Sequence, residues 1–374
     1  MAGYTYKAVG NREDLTDFIT NISPDPTLLQ KKFGRTEVTA MKHDWLTDSI
    51  RPAGKNRVKE AADFATVEPT PRVRMHNYIQ NMMSGYLVSD LQETVLKAGI
   101  KSEIGYQMVK ASKEISNDLE LALITNSQAI EGVADVGGQF GGIPYFTGGD
   151  AIPMVQTGGV FTFAGHKLQT GGAVVFYIGS TGTMPTNISA NKLYFVKVLT
   201  ENTFKIYATP ELAQIGGGDN IVPSGTPSNV FVTTSNIISS NGALTEGLLN
   251  DLMQMIWTRG GYVNEAIMSG GNKKIVSGFT ASATKNVDMS DKKRSQVVEV
   301  WETDFGMINL SAHRQYTADR IDFFEYQYWK LAYLKPFRVE DVPRKGTYKE
   351  KVITGSLTLE CRSPQANGAI INLV

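Results

Sequence analysis

The chain has 374 residues, with 37 basic and 37 acidic side chains and a formal net charge of zero. That length calls for two or three domains or subdomains, and the charge balance excludes a global electrostatic pull on nucleic acid. The single cysteine, Cys361, excludes an intrachain disulfide and any thiolate metal cluster. The amino terminus, MAGYTYKAVGNREDL, lacks the apolar core of a signal peptide, and no run approaches about 18 apolar residues, so neither export nor a transmembrane helix is expected.

NREDLTDFITNIS reads as a short helix capped by Asn11 and stopped by Pro24 and Pro26. It is too short and too mixed to fold alone, so residues 1–35 read as an arm that docks onto something else. TEVTAMKHDWLTDSI has the β-branched and aromatic content of a strand, and RPAGKNR follows as a loop. Residues 57–89 resume an extended pattern broken at EPTP. Together these stretches read as a long two-stranded excursion without a strongly apolar face. An isolated two-stranded ribbon is marginal in water, so this one needs a neighbour to lie on.

From Ser102 to Ser127, Ile104, Met108, Ala111, Ile115, Leu119 and Ala122 recur at steps of three and four. They form one apolar stripe on a helix about 38 Å long at about 1.5 Å per residue. GGQFGGIPYFTGG reads as a loose Gly-rich connection. Between about 150 and 240 the composition turns to Gly, Thr, Ser, Asn, Val and Phe, with runs such as AVVFYI, KLYFVKVL and TFKIYAT set between turns. This is a small all-β module inserted into a different host. Helical periodicity returns in TEGLLNDLMQMIWTRGG, with Leu244, Leu248, Leu252, Met255 and Ile256 on its apolar side and Gly260 as its stop. NEAIMSG then reads as a strand and NKKIVSGF as a short helix. QVVEVWET, GMINLSA, RIDFFEY, WKLAYLKPFRV and KEKVITGSLTLECRS read as strands.

Motifs that carry chemistry are missing. The histidines, His43, His76, His166 and His313, show no helical i, i+4 spacing and no HExxH pattern, so no metal site is predicted. There is no phosphate-binding GxxxxGK loop and no GxSxG elbow, and Cys361 has no histidine near it in sequence. GGQFGG runs into Ile143–Pro144 where a dinucleotide-binding helix would have to begin. Lys292, Lys293 and Arg294 form a short basic run diluted by Asp288 and Asp291, as a solvated loop would be. Trp257 and the aromatics of RIDFFEYQYWKLAYLKPF are read as core or interface residues. No catalytic residue, cofactor site or metal site is assigned.

The order of elements resembles the tailed-phage major capsid (major head) proteins. GNREDLTDFITNISPDPTLLQKKFG and HDWLTDSI are similar to their amino-terminal region. VLKAGIKSEIGYQMVKASKEISNDLELALI is similar to their spine helix with its lead-in. VVEVWETDFGMINLSAHR, YWKLAYLKPFRVED and KGTYKEKVITGSLTLECRSPQANGAI are similar to their closing part. GHKLQTGGAVVF and TMPTNISANKLYFVKVLTENTFKIYATP resemble a β-module that recurs in phage structural proteins and that plainer members of the family lack.

The resemblance implies an α+β chain with the Hong Kong phage capsid fold shared by tailed-phage and herpesvirus shells. Residues 1–35 would be the amino-terminal arm and 36–80 the extended loop, a β-hairpin. Residues 81–127 and 325–374 would form the peripheral domain, with the spine helix at 100–127. Residues 128–149 and 241–324 would form the axial domain, and 150–240 the inserted all-β domain. The implied function is a non-enzymatic major capsid protein of the virion. It would self-assemble in the host bacterial cytoplasm into hexamers and pentamers of an icosahedral head around double-stranded DNA. Expected partners are other copies of the chain, a separate scaffolding protein (no long segment precedes the arm), a portal and a decoration protein. Packaged DNA would be met without sequence reading, and no membrane would be involved.

Two rival readings remain open at this point. One is a β-rich carbohydrate-binding or adhesion protein, with Phe161, Phe163, Phe176, Tyr177, Tyr194, Phe195, Phe204 and Tyr207 stacking on sugars. The other is an enzyme with a dispersed active site.

Overall fold

The computed structural model describes residues 27–48, 50, 57–60, 72–95, 102–148, 151–164, 166, 168–279 and 300–374. The Asn11-capped helix and the Lys292–Arg294 run lie outside the described residues. In chain order the elements begin with α1 (Leu28–Lys32), β1 (Gly34–Glu37), β2 (Lys42–Thr47), β3 (Val73–Tyr78), β4 (Gln80–Ser89) and α2 (Asp90–Thr94). Next come α3 (Glu103–Thr125) and α4 (Ile143–Phe146). The inserted module holds β5 (Ile152–Pro153), β6 (Val155–Thr157), β7 (Val160–Thr162), β8 (Ala173–Thr183), β9 (Lys192–Thr200), β10 (Thr203–Tyr207), α5 (Pro210–Ile215) and β11 (Ser228–Thr233). The chain closes with β12 (Asn236–Gly242), α6 (Glu246–Thr258), β13 (Glu265–Met268), α7 (Gly270–Phe279), β14 (Val300–Thr303), β15 (Gly306–Ala312), β16 (Ile321–Phe324), β17 (Trp329–Asp341), β18 (Tyr348–Cys361) and β19 (Gly368–Leu373).

The long helix forms as its periodicity predicts. Its 23 residues span about 34 Å at about 1.5 Å each. The Ser102 hydroxyl caps it by accepting from Gly105 N, and the Glu93 carboxylate of α2 accepts from Glu103 N at 2.9 Å, where the helix dipole favours negative charge. Ala111, Ile115, Leu119 and Ala122 are buried, whereas Ile104 is half-buried and Met108 exposed. Among the described residues the predicted stripe is buried only from Ala111 onward. There Ala111 and Ile115 pack with Ile353, Met82, Tyr86 and Phe337.

That face belongs to a four-stranded sheet ordered β1–β17–β18–β4, with β1 parallel to β17 and the other pairs antiparallel. A six-stranded mixed sheet is ordered β12–β19–β16–β13–β15–β14 and carries α6 and α7 over its apolar face. Its α6 is capped by Thr245, whose hydroxyl accepts from Leu248 N. The helix ends at Gly260, whose φ of +85° is open to glycine at little cost. Leu244, Leu252, Met255 and Ile256 are buried there as expected, Leu248 is half-buried, and Leu249 and Met253 complete the face.

In the seven-stranded sheet of the inserted module, β5 pairs with β11 at one edge and β6 with β7 at the other. These two strands are one stretch of chain, interrupted only at the buried Met154, whose amide donates to Val230 O at 2.8 Å. One segment therefore stitches both edges, which closes the sheet into a small barrel and removes its open edges. The β6–β7 hairpin turns on Gly158 and Gly159 at φ +59° and +79°, as a primed two-residue turn requires. The barrel mounts on the six-stranded sheet through Asn191, which donates to Ser239 O (2.9 Å) and accepts from Ser239 N (3.0 Å).

Four expectations change. The stretch 36–50 is not one strand: residues 34–37 join β17 and residues 42–47 join β3, because Val38 docks its amide on Tyr333 O and turns the chain away. Residues 27–35, read as part of a docking arm, pack on the chain's own body: Leu29 and Phe33 are buried, and the Phe33 ring stacks on Trp329 at 5.4 Å. The closing strand β19, grouped by sequence with 325–374, pairs instead with β12 and β16 of the six-stranded sheet. The stretch 137–142 is no slack connection, since a Cβ on Gly138 would meet Ile79 O at 2.7 Å and one on Gly142 would meet Leu123 O at 2.6 Å.

Glu120 of α3, buried, accepts from Leu29 N (2.7 Å), Gln30 N (3.3 Å) and Gln30 Nε2 (3.1 Å), and from His313 Nε2 at 3.2 Å. Replacing Glu120→Ala strands two backbone donors and the imidazole. The expected cost is about 1–3 kcal/mol, read by chemical denaturation, with Glu120→Gln recovering part of it.

Candidate functional site: the assembly surfaces

The chemistry-bearing residues singled out by sequence serve separate structural tasks. His43 and His76 sit on neighbouring strands of the β2–β3 ribbon, His43 bonded to Glu360 and His76 edge-on to Tyr78 at 5.6 Å. His166 lies in the barrel, where its Nδ1 accepts from Leu168 N and its Nε2 reaches Thr200 O. Burial holds its pKa below the ordinary value. His313 bonds to Glu120. Among the described residues, no group of three or more His, Cys, Asp or Glu side chains is arranged to hold a metal ion. Cys361 is fully buried, and burial pushes its thiol pKa upward, away from the reactive thiolate. Among the aromatics of RIDFFEYQYWKLAYLKPF, Phe323, Phe324 and Trp329 are in the core.

Of the eight aromatics of the sugar-stacking reading, Phe161, Phe163, Phe176, Tyr177, Tyr194, Phe204 and Tyr207 are buried, and Phe195 is half-buried. Phe161, Phe163, Phe176, Tyr194 and Phe204 fill the barrel, with Phe161 stacked on Phe204 at 5.7 Å, while Tyr177 stacks on Phe231.

What the fold leaves uncovered is apolar and spread over several faces. The β2–β3 ribbon alternates, as strands must. His43 and Trp45 share one face with their cross-strand partners Asn77 and Met75, and that face lies on the body. Outside it, Leu46 is 62% exposed, Val58 67% and Ile50 97%. The four-stranded sheet has α3 on the face carrying Met82 and Tyr86, while Met83 and Leu87 project from the opposite face, 75% and 57% exposed. Leu91 and Val95 continue that strip beyond the strand. On the six-stranded sheet, Trp257 touches Phe305 at 5.7 Å yet remains half-exposed, and Met307 and Val300 are exposed on the β14–β15 hairpin. Several apolar patches on one chain mark a subunit whose burial is completed by neighbours. Sequence periodicity missed the Met83–Leu87 strip because alternating residues in an edge strand read as ordinary surface.

The ribbon's root is bonded in detail. Asn77 Nδ2 donates to Leu359 O (2.7 Å) and Gly141 O (3.0 Å), while its Oδ1 accepts from Gly141 N (2.8 Å) and Tyr78 N (2.9 Å). His43 Nε2 meets Glu360 Oε2 at 3.1 Å, and Trp45 Nε1 donates to Cys361 O at 3.1 Å. Arg362 donates to the other Glu360 oxygen at 2.5 Å.

The family model for the SU10 major capsid protein matches residues 2–374. The chain belongs to that family. It is a structural protein of the virion capsid, and it builds the phage's icosahedral shell. It is 22% identical to the major capsid protein of Escherichia phage Phieco32 over 98% of this chain and 95% of that one. Its fold is similar to the cyanophage A-1(L) capsid subunit, with a TM-score of 0.57 and 12% identity over 97% of each chain. It is similar as well to the capsid of a native GTA particle, with a TM-score of 0.53 and 10% identity over 99% of this chain and 97% of that one. These likenesses bear out the α+β capsid fold and the major-capsid reading, and they displace the carbohydrate-binding alternative. Among the described residues no helix is long and apolar enough to cross a membrane.

Burial alone would raise the Glu360 pKa, but hydrogen bonds from His43 and Arg362 outweigh it and hold the carboxyl below its ordinary value. Stability from this contact is therefore complete above the unfolded glutamate value of about 4.3 and is lost as pH falls through the lower folded-state value. The thermal midpoint of the chain is expected to drop more steeply below that pH than the midpoint of Glu360→Gln, which starts lower and lacks the acid step.

Proposed function

We propose that this major capsid protein closes hexamers and pentamers by lending each neighbour the apolar surface it cannot bury alone. Residues 36–80 hold the extended loop: its ends, with Glu37, Val38 and Ile79, stay on the chain's own body, and the part beyond the root lies over the adjacent subunit. The observation that carries this reading is the ribbon itself, rooted on the body by His43, Trp45 and Asn77 yet exposing Leu46, Ile50 and Val58 beyond the root. The uncovered strip of Met83 and Leu87 is apolar in the same way and is the natural surface for a neighbour's ribbon. Residues 1–35 act as an arm whose last part, from residue 27, is seated on the chain's own body.

Residues 81–127 and 325–374 then form the peripheral domain braced by the spine helix at 100–127. Residues 128–149 and 241–324 form the axial domain at the five- and sixfold positions, joined by β19 as its added strand. Head-to-tail contacts of this kind close into rings, and Trp257 with Phe305 is the aromatic anchor such a contact favours. The barrel within 150–240 faces outward, supporting neighbours or receiving a decoration protein. Balanced charge lets identical subunits approach closely. Packaged double-stranded DNA is met through scattered Lys and Arg contacts to phosphate. A scaffolding protein and a portal complete the partner set, and the chain performs no catalysis.

Replacing residues 49–71 with a short turn removes the ribbon's outer part and spares the β2–β3 pairing. The subunit is expected to keep its circular dichroism spectrum while negative-stain images lose closed shells. Uniform shells from that variant would overturn the ribbon's role. Trp257→Ala, half-exposed in the free chain, is expected to leave the subunit's unfolding midpoint nearly unchanged and to weaken shell stability to denaturant. Equal weakening of both would mark Trp257 as a core residue instead.

A further inference from the structure

Three side chains of the ribbon grip three consecutive residues of β18. Asn77 holds Leu359 O, His43 holds the Glu360 carboxylate, and Trp45 holds Cys361 O. The register explains the convergence: His43 and Asn77 are cross-strand partners, and Trp45 lies two residues on, on the same face. The anchoring segment is held on its other edge by β17, to which Leu359, Glu360 and Cys361 pair beyond the end of the β18–β4 register, and all three residues are buried. Asn77 is fully buried and uses both its oxygen and its amide nitrogen twice, so it ties β3, the 139–142 turn and β18 at one point.

Packing alone does not hold the ribbon at this angle. A cleft of about 510 Å³ opens where the ribbon leaves the body, lined by Trp45, Thr47, Asp48, Tyr328, Arg362 and Ser363 among others. The apolar contacts at the root are those of Trp45, tilted against Phe146 at 6.0 Å, and of its cross-strand partner Met75, both packed on the core, and such contacts are not directional. The three hydrogen bonds are, because each weakens steeply once donor and acceptor leave alignment.

We propose that Asn77, His43 and Trp45 are positioning residues that set the take-off angle of the ribbon, and through it the angle at which neighbouring subunits meet and the diameter of the shell. The proposal rests on the reading that the ribbon lies over an adjacent subunit. A small change of angle at the root is multiplied along the ribbon, so the grip acts on assembly geometry without touching the neighbour.

The test uses conservative variants in the native phage context. Trp45→Phe keeps the ring on Phe146 and removes the bond to Cys361 O. His43→Phe keeps the ring and removes the bond to Glu360, and the double variant removes both. Asn77→Leu, which strands buried carbonyls and is the variant most prone to misfolding, is kept as a fourth arm. Subunit unfolding midpoints and the diameters of purified shells, measured by cryo-electron microscopy, are read together. The expected result for Trp45→Phe and the double variant is a folded subunit whose share of native-diameter shells falls by roughly half or more, replaced by mis-sized shells, tubes or open sheets. Shells of native diameter and uniformity from the folded double variant overturn the proposal. The chain with residues 49–71 replaced separates the two readings. If it also builds uniform shells, the ribbon's role has failed; if it builds none while the double variant builds uniform ones, only the grip has failed.

Discussion

Glu120 sits toward the carboxyl-terminal end of the spine helix, buried, with the amides of Leu29 and Gln30 and the imidazole of His313 all directed at its carboxylate. A lone carboxylate in such a place is costly, and it is tolerated only because several donors replace the lost water. Those donors come from two places: the amino-terminal segment and His313, just past the end of β15. The same short segment is fixed a second time by Lys32, whose Nζ meets the buried Glu265 of β13 at 2.8 Å, and a third time by Phe33 on Trp329. The four-stranded and six-stranded sheets share no strand, and residues 28–37 act as a strap between them. That strap adds to the shared core in fixing the two sheets relative to one another.

Rigidity and incompleteness are divided between different parts of the chain. Trp329, Phe140, Leu119 and their neighbours form a dense core where strap, spine and both sheets meet. The six-stranded sheet has its own core under α6 and α7. The barrel has a third, and it is coupled to the second because Val175 and Leu193 pack there and Asn191 mimics a strand bond to Ser239. Against these stand the ribbon, the Met83–Leu87 strip and the Trp257 patch, which carry apolar side chains with nothing over them. A shell subunit needs both properties: a body that resists deformation, and surfaces stable only when shared. Contacts of modest strength then suffice, since closure of the lattice multiplies them.

Much of this was legible along the chain. The 3.6-residue period marks α3 and α6 because helix periodicity is a local property that needs no knowledge of the partner. Gly260 as a stop, the strand-like runs of the barrel and the absence of catalytic or phosphate-binding motifs are local in the same sense. So is the thinness of the ribbon, where no strongly apolar face appears in residues 36–80. The ordered succession of these elements is what carries the capsid resemblance, although no single motif does.

Tertiary structure alone decided which local possibilities are used. The stripe on α3 runs its full length in sequence, yet among the described residues it is buried only from Ala111 onward. Residues 34–47 look like one strand but serve two sheets, and β19 leaves its sequence neighbours for the six-stranded sheet, since strand pairing is a choice among distant partners. Glu120, Asn77 and Glu360 are ordinary polar residues in sequence; burial and converging donors from up to 317 positions away make them joints. Gly138 and Gly142, in a stretch that reads as slack, prove to be points of close backbone approach. Periodicity and composition specify elements, whereas the long-range contacts that orient them have no signature short of the folded chain.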